Sequence, residues 1–155
     1  MELVRESFII REIDMVPLDP EHPSIKTKNK MFSKVSRIFA HSRSNLLEII
    51  LDINTEIYAV CLNDEIDVLI TKVPQIENEI AKNVNDWTSY FGKEILDLYE
   101  YVVYGTVFHS GLEKNKFFVY ASFGGLLLKL FGILKNNRME DFAIDSKILL
   151  LIRKV

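Results

Sequence analysis

A pair of adjacent glycines, Gly124 and Gly125, constrains the fold of this chain more than any other feature of its sequence. The glycines separate two apolar runs, at residues 117–123 and 126–131. A two-residue type I′ turn between antiparallel strands needs a positive φ at both central positions, which glycine adopts without strain. The segment therefore predicts a β-hairpin with Gly124 and Gly125 at its turn.

The alternation of side chains along the two strands assigns each residue of the hairpin to a face. One face is wholly apolar and is predicted to be buried; it carries Phe117, Val119, Ala121, Phe123, Leu126, Leu128 and Leu130. The opposite face carries Phe118, Tyr120, Ser122, Leu127, Lys129 and Phe131. This second face is too aromatic for an ordinary solvent-exposed surface and too polar for a core. Such a composition is typical of a surface that contacts a partner.

The rest of the chain is rich in segments of β character. Further strands are predicted at residues 8–15, 32–40, 46–53, 66–72, 98–108 and 147–154, with a short extended piece at 57–60. In the segment 46–53, Glu48 and Asp52 alternate with apolar neighbours, which favours a half-buried strand over a helix. Gly105 indicates a bulge or a close approach of two backbones in its strand.

The segments between the strands are mostly polar. Three prolines between residues 17 and 23 are expected to end the first strand, so that residues 16–31 form a polar loop. Residues 73–96 are predicted to form a second, acidic loop, either with a short amphipathic helix or long and partly disordered. A polar turn is predicted at residues 109–116 and a single helical turn at residues 139–143.

These segments amount to seven or eight strands with hardly any helix, in one domain that spans residues 1–155. The fold class is therefore all-β, either a sandwich or, more simply, a closed antiparallel barrel of about eight strands with long polar loops, because closure removes exposed strand edges. The composition, 48% hydrophobic and 26% charged with a net charge of -3, is that of a soluble globular protein. No apolar run approaches the ~20 residues that a membrane-spanning helix needs, so no membrane contact is expected.

The sequence contains no recognisable catalytic constellation. The paired glycines are followed by neither a helix nor a Lys-Ser/Thr pair, so they do not form a phosphate-binding loop. The three histidines lie far apart without partners at ligand spacing, and no metal or cofactor is expected. Ser110 and Ser122 are not in a nucleophile elbow, and Cys61, the single cysteine, is expected to pack as a small hydrophobic residue. The protein is predicted not to be an enzyme.

Positive charge is concentrated in one part of the sequence. Residues 24–47 contain six lysines and arginines and no acid, whereas residues 73–100 are mainly acidic. The basic part could face nucleic acid or an acidic partner, although solvated loops and strand edges explain it as well. On a small barrel, Arg37 and Arg43 with Phe39 and Tyr120 are weak candidates for contacts with single-stranded nucleic acid.

Five stretches, at residues 32–42, 47–60, 99–108, 119–130 and 145–154, resemble a known family in their order and spacing. The most specific motifs are V-S-R at residues 35–37, L-D-I-N at residues 51–54 and S-F-G-G-L-L at residues 122–127. Together these stretches are similar to the small eighth subunit shared by the three eukaryotic nuclear RNA polymerases. The resemblance covers most of the chain from Phe32 onward.

The resemblance implies an OB-fold-like barrel of eight antiparallel strands. It also implies a non-catalytic nuclear subunit that docks on the largest subunit of RNA polymerases I, II and III and supports assembly of the complex. The candidate docking or scaffold residues are Tyr120, Ser122, Phe123, Gly124, Gly125, Leu126 and Leu127. An aromatic strand face and paired glycines allow another backbone to approach closely. The alternative is a free-standing OB-fold module that binds single-stranded nucleic acid.

Overall fold

Most of the chain is β-strand. The computed structural model describes residues 2–19, 22–28, 34–73, 96–133 and 139–155. Within these ranges the strands are β1 (Glu2–Ile13), β2 (Met15–Asp19), β3 (His22–Lys28), β4 (Val35–Ser42), β5 (Leu47–Asn54), β6 (Glu65–Lys72), β7 (Tyr101–Glu113), β8 (Lys116–Phe123), β9 (Leu126–Gly132) and β10 (Lys147–Lys154). A 3-10 helix at Met139–Phe142 confirms the predicted helical turn.

Eight of these strands form a closed barrel in the order β1-β4-β5-β9-β8-β7-β10-β6, and β6 pairs with β1 to close it. Each neighbouring pair of strands in the barrel is antiparallel. The prediction of an all-β closed antiparallel barrel is therefore confirmed. The remaining strands, β2 and β3, pair with each other in a separate two-stranded sheet.

β8 and β9 form the predicted hairpin. Phe123 pairs with Leu126 across the turn, and φ is 62° at Gly124 and 95° at Gly125. The predicted faces are confirmed as well, since the core contains Phe117, Val119, Ala121, Phe123, Leu128 and Leu130, with Leu126 packed against it. The hairpin is thus part of the barrel wall, with one face in the core and the other directed outwards.

Alternate residues of the strands point into the barrel and fill it. The inward residues of β5 are at most 3% exposed: Leu47, Ile49, Leu51 and Ile53. β10 is buried on both faces, because Leu149 and Leu151 lie in a second apolar cluster with Leu69 and Val73. Burial of both faces explains why this strand is continuously apolar rather than alternating.

The course of β7 depends on a glycine. A Cβ at Gly105 would overlap the carbonyl oxygen of Ser122 and the ring of Phe123, so the predicted close approach of two backbones is confirmed. The bulge of this strand lies farther along, where the register with β8 shifts between Val107 and His109.

The prediction of a polar loop over residues 16–31 is wrong for most of that segment. β2 and β3 pair there, with Pro17 opposite Lys26. A sheet of two strands has two open edges, so a proline, which has no N–H to donate, is tolerated in it. Asp14, at φ 53°, turns the chain from β1 into β2. Residues 20, 21 and 29–31 lie outside the described residues.

Three other predictions need correction or stay open. Residues 109–113 are strand rather than turn, because β7 continues to Glu113 and the turn comprises only Lys114 and Asn115. The piece at residues 57–60 joins no strand. The predicted acidic loop at 73–96, with its alternative short helix, lies outside the described residues from 74 to 95.

Candidate docking site

The three most specific sequence motifs meet at one place on the barrel. V-S-R lies on β4, L-D-I-N on β5, and S-F-G-G-L-L spans the turn from β8 to β9. Arg37 and Asp52 are direct cross-strand partners, and their side chains form two hydrogen bonds, of 2.7 and 3.1 Å. The N–H of Leu127 donates to the second oxygen of the same carboxylate at 3.1 Å. Asp52 therefore joins residues from all three motifs.

The Asp52 carboxylate is largely shielded from solvent. Its side chain is 10% exposed, whereas that of Arg37 is 57% exposed. The hydrogen bond to Asp52 raises the pKa of Arg37 above its usual value, so the guanidinium stays charged. A carboxylate that accepts a bidentate guanidinium and a backbone N–H has its main acceptor positions filled.

Asp14 holds the backbone of Arg37 from the other side. The N–H of Arg37 donates to Asp14 Oδ1 at 3.0 Å, and the N–H of Asp14 donates to the carbonyl of Arg37 at 2.8 Å. Asp14 is 7% exposed and has a positive φ. Arg37 is thus fixed through both its backbone and its side chain.

Gly124 and Gly125 are exposed at the surface, beside the hydrogen-bonded residues Asp14, Arg37, Asp52 and Leu127. Among the described residues, a Cβ built on Gly124 or Gly125 would meet no atom within 4 Å other than those of its chain neighbours. Within the turn, the N–H of Gly125 donates to Ser122 Oγ at 3.3 Å. The turn therefore presents bare backbone at the surface.

Another turn of the same chain shows that this backbone shape does not itself require glycine. The hairpin of β7 and β8 also turns on two residues, Lys114 and Asn115, with φ values of 51° and 66°. Positive φ at both positions is thus reached there with side chains present. What the glycine pair adds is the absence of side chains.

The predicted docking or scaffold residues fall into two groups. Phe123 and Leu126 point towards the core and support the turn from below. Ser122 is half-buried, and Leu127 is 43% exposed beside the glycines. Tyr120 lies one cross-strand pair farther along the outer face, opposite Lys129.

Outward side chains of β7, β8 and β9 line a groove of about 550 Å³. We call it the aromatic groove and define it by Phe108, His109, Phe118, Tyr120, Lys129 and Phe131. The ring centroid of Tyr120 lies 5.9 Å from that of His109, 5.9 Å from that of Phe118 and 6.0 Å from that of Phe108. The outer face predicted from the hairpin is therefore one wall of a larger aromatic surface.

A family model described as RNA polymerase Rpb8 matches residues 22–154. The chain belongs to the RNA polymerase Rpb8 family. A protein of Caenorhabditis elegans named probable DNA-directed RNA polymerases I, II, and III subunit RPABC3 is 32% identical over 136 residues, which are 84% of this chain and 89% of that protein.

Two further relatives of this Rpb8-family chain come from yeast and a plant. The Saccharomyces cerevisiae protein named DNA-directed RNA polymerases I, II, and III subunit RPABC3 is 33% identical over 112 residues, which are 68% of this chain and 77% of that protein. The Arabidopsis thaliana protein named DNA-directed RNA polymerases II, IV and V subunit 8B is 29% identical over 152 residues, which are 96% of this chain and 99% of that protein.

The two arginines considered for nucleic-acid contacts lie apart in this Rpb8-family barrel, and each is paired with a carboxylate. Arg37 pairs with Asp52 on β5, and Arg43, just after the end of β4, pairs with Glu65 on β6 through contacts of 2.5 and 3.1 Å. A phosphate would have to compete with these carboxylates. The structure does not bring the two guanidinium groups together with the aromatic groove.

Within the described residues of this Rpb8-family chain, no three His, Cys, Asp or Glu side chains are close enough to hold a metal ion. Nor does any helix in the described ranges have the length and apolar character to cross a membrane.

Sequence reasoning missed the roles of Asp14 and Asp52. Asp52 alternates with core residues on β5 and was predicted simply to face outwards. Two outward residues of opposite charge on successive strands, Arg37 and Asp52, are a signal for a cross-strand ion pair. No local sequence pattern indicates the hydrogen bond between Leu127 and Asp52, because it forms only when β5 lies between β4 and β9 in the barrel.

Proposed function

We propose that this Rpb8-family chain is a non-catalytic nuclear subunit shared by DNA-directed RNA polymerases I, II and III, and that it docks on the largest subunit of each enzyme. The observation that carries the docking proposal is the glycine turn, which is bare, open and fixed from below by Asp52. The relatives from worm and yeast are both named as subunits of RNA polymerases I, II and III, which supports the proposal of a shared subunit.

The glycine turn suits a close backbone contact. Gly124 and Gly125 have no side chain to hold a partner at a distance, and both are exposed, with no other part of the described chain within 4 Å of where a Cβ would lie. Leu127, 43% exposed, offers an apolar contact beside them. A partner loop that approaches this turn can reach its N–H and C=O groups directly.

The hydrogen bonds beside the glycine turn favour its interpretation as a docking surface over that of a flexible loop tip. Leu127 is bound to Asp52, Asp52 to Arg37, and Arg37 to Asp14. A surface held in its bound shape loses less conformational entropy when a partner binds. The half-exposed guanidinium of Arg37 lies next to the turn and adds a donor to the same surface.

The single-strand binder is less well supported than the polymerase subunit. Such binders combine free cations along a groove with exposed ring faces. In this chain the two candidate arginines, Arg37 and Arg43, are paired with carboxylates. The aromatic groove does have lysines in its lining, but its rings pack on one another instead of presenting open faces. The salt dependence of oligonucleotide binding by the isolated protein separates the two functions, because phosphate contacts weaken steeply with salt.

Affinity purification tests the proposal. The full chain is tagged, purified from nuclear extract, and its partners are identified by mass spectrometry. We expect the largest subunits of all three polymerases in comparable amounts to the tagged chain. Recovery without any of the three largest subunits would contradict the proposal.

A further inference from the structure

We propose that the aromatic groove is a second docking site and that its occupant is an extended acidic segment of a partner protein. The groove is separate from the glycine turn, because its nearest lining residues, Tyr120 and Lys129, are each four strand residues from the glycines, about 13 Å by the rise of a strand. The inference goes beyond the proposed function and does not depend on it.

The charge around the groove indicates an anionic occupant. Lys114, Lys116 and Lys129 line it, and Glu113 is the one acidic side chain among the described lining residues. In the part of the chain that the structure describes, none of these lysines forms an ion pair with a carboxylate. The ammonium of Lys129 instead lies over the rings of Phe131 and Tyr120, at 4.8 and 5.6 Å from their centroids.

Cations elsewhere on the described surface are mostly paired with acids. Arg5, Lys34, Arg37, Arg43, Arg153 and Lys154 each have a carboxylate within 4 Å. Outside the groove, Lys72 also has no ion pair among the residues whose side chains the structure describes. The groove thus has three lysines without an ion pair and a single carboxylate, that of Glu113, which lies opposite Lys116 on the neighbouring strand. A segment rich in Asp and Glu would complement this excess of positive charge.

The packing of the rings favours a peptide over nucleobases. Tyr120 is stacked on His109 at an interplanar angle of 24° and meets the edge of Phe118 at 67°. Phe118 in turn covers Gly111, where a Cβ would be 2.9 Å from its Cζ. Because these ring faces already contact one another and Lys129, they do not offer the open planes on which bases stack. They form an apolar floor, with Phe108 as an exposed wall.

The edge of β7 beside the groove favours an extended conformation of the occupant. β10 pairs with β7 only as far as Thr106, opposite Lys147. Among the described residues, no strand pairs with this edge of β7 from Phe108 to Glu113. An extended peptide can form main-chain hydrogen bonds to such an edge, and its alternate side chains then lie on the side of the groove.

The binding test uses the isolated full-length protein and three fluorescent probes. These are a short peptide of alternating glutamate and leucine, a matched peptide of glutamine and leucine, and oligothymidylate. Binding is measured by fluorescence anisotropy at low and moderate salt. We expect saturable binding of the Glu-Leu peptide that weakens with salt, and weaker binding of the other two probes.

Matched variants locate the binding. Lys116→Gln and Lys129→Gln are each expected to weaken binding of the Glu-Leu peptide roughly two- to fivefold, and Lys129→Arg to retain it. Lys72→Gln, which removes an unpaired lysine outside the groove, should leave binding unchanged. The double substitution Gly124→Asn and Gly125→Asn should leave it unchanged too, so that this inference and the docking proposal fail separately.

Several outcomes would overturn the inference. Equal binding of the Gln-Leu peptide would show that the groove does not select an acidic occupant. Tighter binding of oligothymidylate would assign the groove to nucleic acid. Equal losses in the Lys72 and Lys129 variants, or a loss in the glycine double variant, would place the peptide elsewhere.

Discussion

Arg37 on β4 and Asp52 on β5 hold each other through two hydrogen bonds, of 2.7 and 3.1 Å, and the same Asp52 carboxylate accepts the N–H of Leu127 at 3.1 Å. Leu127 is the second residue after the glycine turn. The turn is thus fixed by side chains from two other strands as well as by its own hairpin. This arrangement makes Asp52 the residue on which the shape of the docking site depends.

Removal of Asp52 should destabilise the fold. Asp52→Ala leaves the N–H of Leu127 without its acceptor and Arg37 without its partner. We expect the free energy of unfolding to fall by roughly 1–3 kcal/mol, mostly from the unsatisfied backbone group, since the exposed Arg37 contributes less. Urea denaturation measures the change.

A second ion pair, between a residue just before β4 and a residue just after β5, provides the matched control for Asp52. Lys34 and Glu56 lie 3.4 Å apart, and their side chains are 66% and 61% exposed. Glu56→Ala should change the free energy of unfolding by no more than about 0.5 kcal/mol. Equal effects of Asp52→Ala and Glu56→Ala would contradict a special role for Asp52.

Two glycines of β7 should respond differently to alanine. At Gly105 a Cβ would overlap the backbone carbonyl of Ser122, which cannot move without disturbing β8. At Gly111 it would meet only the far end of the Phe118 ring, which can tilt. We expect Gly105→Ala to destabilise the protein by roughly 1–3 kcal/mol and Gly111→Ala by less. Equal urea midpoints for the two variants would contradict this prediction and show that β8 shifts to accommodate a side chain at Gly105.

The hairpin and its faces were predictable because their signals are local. Positive φ at two glycines and a side-chain period of two both lie within the segment from Phe117 to Phe131. β2 and β3 were missed because prolines usually end strands, and only the pairing of the two segments shows that their edges are open. The extension of β7 to Glu113 was missed because its last residues are polar and include Gly111.

The candidate site was only partly predictable for a similar reason. The motifs that contain Arg37, Asp52 and Leu127 were recognised one by one. Their meeting depends on β5 lying between β4 and β9, which is a property of the strand order rather than of any segment. The aromatic groove likewise extends the predicted face of β8 and β9 with Phe108, the last residue of the predicted strand 98–108, and with His109, which was predicted to begin a turn.

The stability of the barrel should depend on alkaline pH through Tyr58. This side chain is buried, and its hydroxyl donates to Glu100 Oε1 at 2.7 Å. Burial, together with the bond to Glu100, raises the pKa of Tyr58 above its ordinary value of 10.0. Because the folded state keeps a proton that the unfolded state has lost, the free energy of unfolding decreases as the pH rises above about 10.

The variant Tyr58→Phe removes this titration. Its free energy of unfolding should decline less steeply above about pH 10 than that of the wild type. Part of the decline should remain, because burial also raises the pKa of Tyr101. Urea denaturation across a pH series gives both curves, and parallel curves would exclude Tyr58 as a source of the dependence.

The docking proposal makes its sharpest prediction at the glycine turn. Asparagine tolerates a positive φ, so the double substitution Gly124→Asn and Gly125→Asn keeps the turn and adds two side chains to its surface. Asn115→Gly is the matched control, because it exchanges the same two residue types in the other two-residue turn and leaves the lysines of the aromatic groove in place. Both variants are expected to fold, with free energies of unfolding within about 1 kcal/mol of that of the wild type.

Co-purification with these two tagged variants tests whether the largest polymerase subunits dock on the glycine turn. Both variants are expressed beside the untagged wild type, so that they compete for assembly, and the recovered amount of each largest subunit is measured relative to the bait. We expect a loss of at least about tenfold for the glycine variant, equivalent to 1.4 kcal/mol, and wild-type recovery for Asn115→Gly. Wild-type recovery of all three largest subunits by a folded glycine variant would contradict the docking proposal.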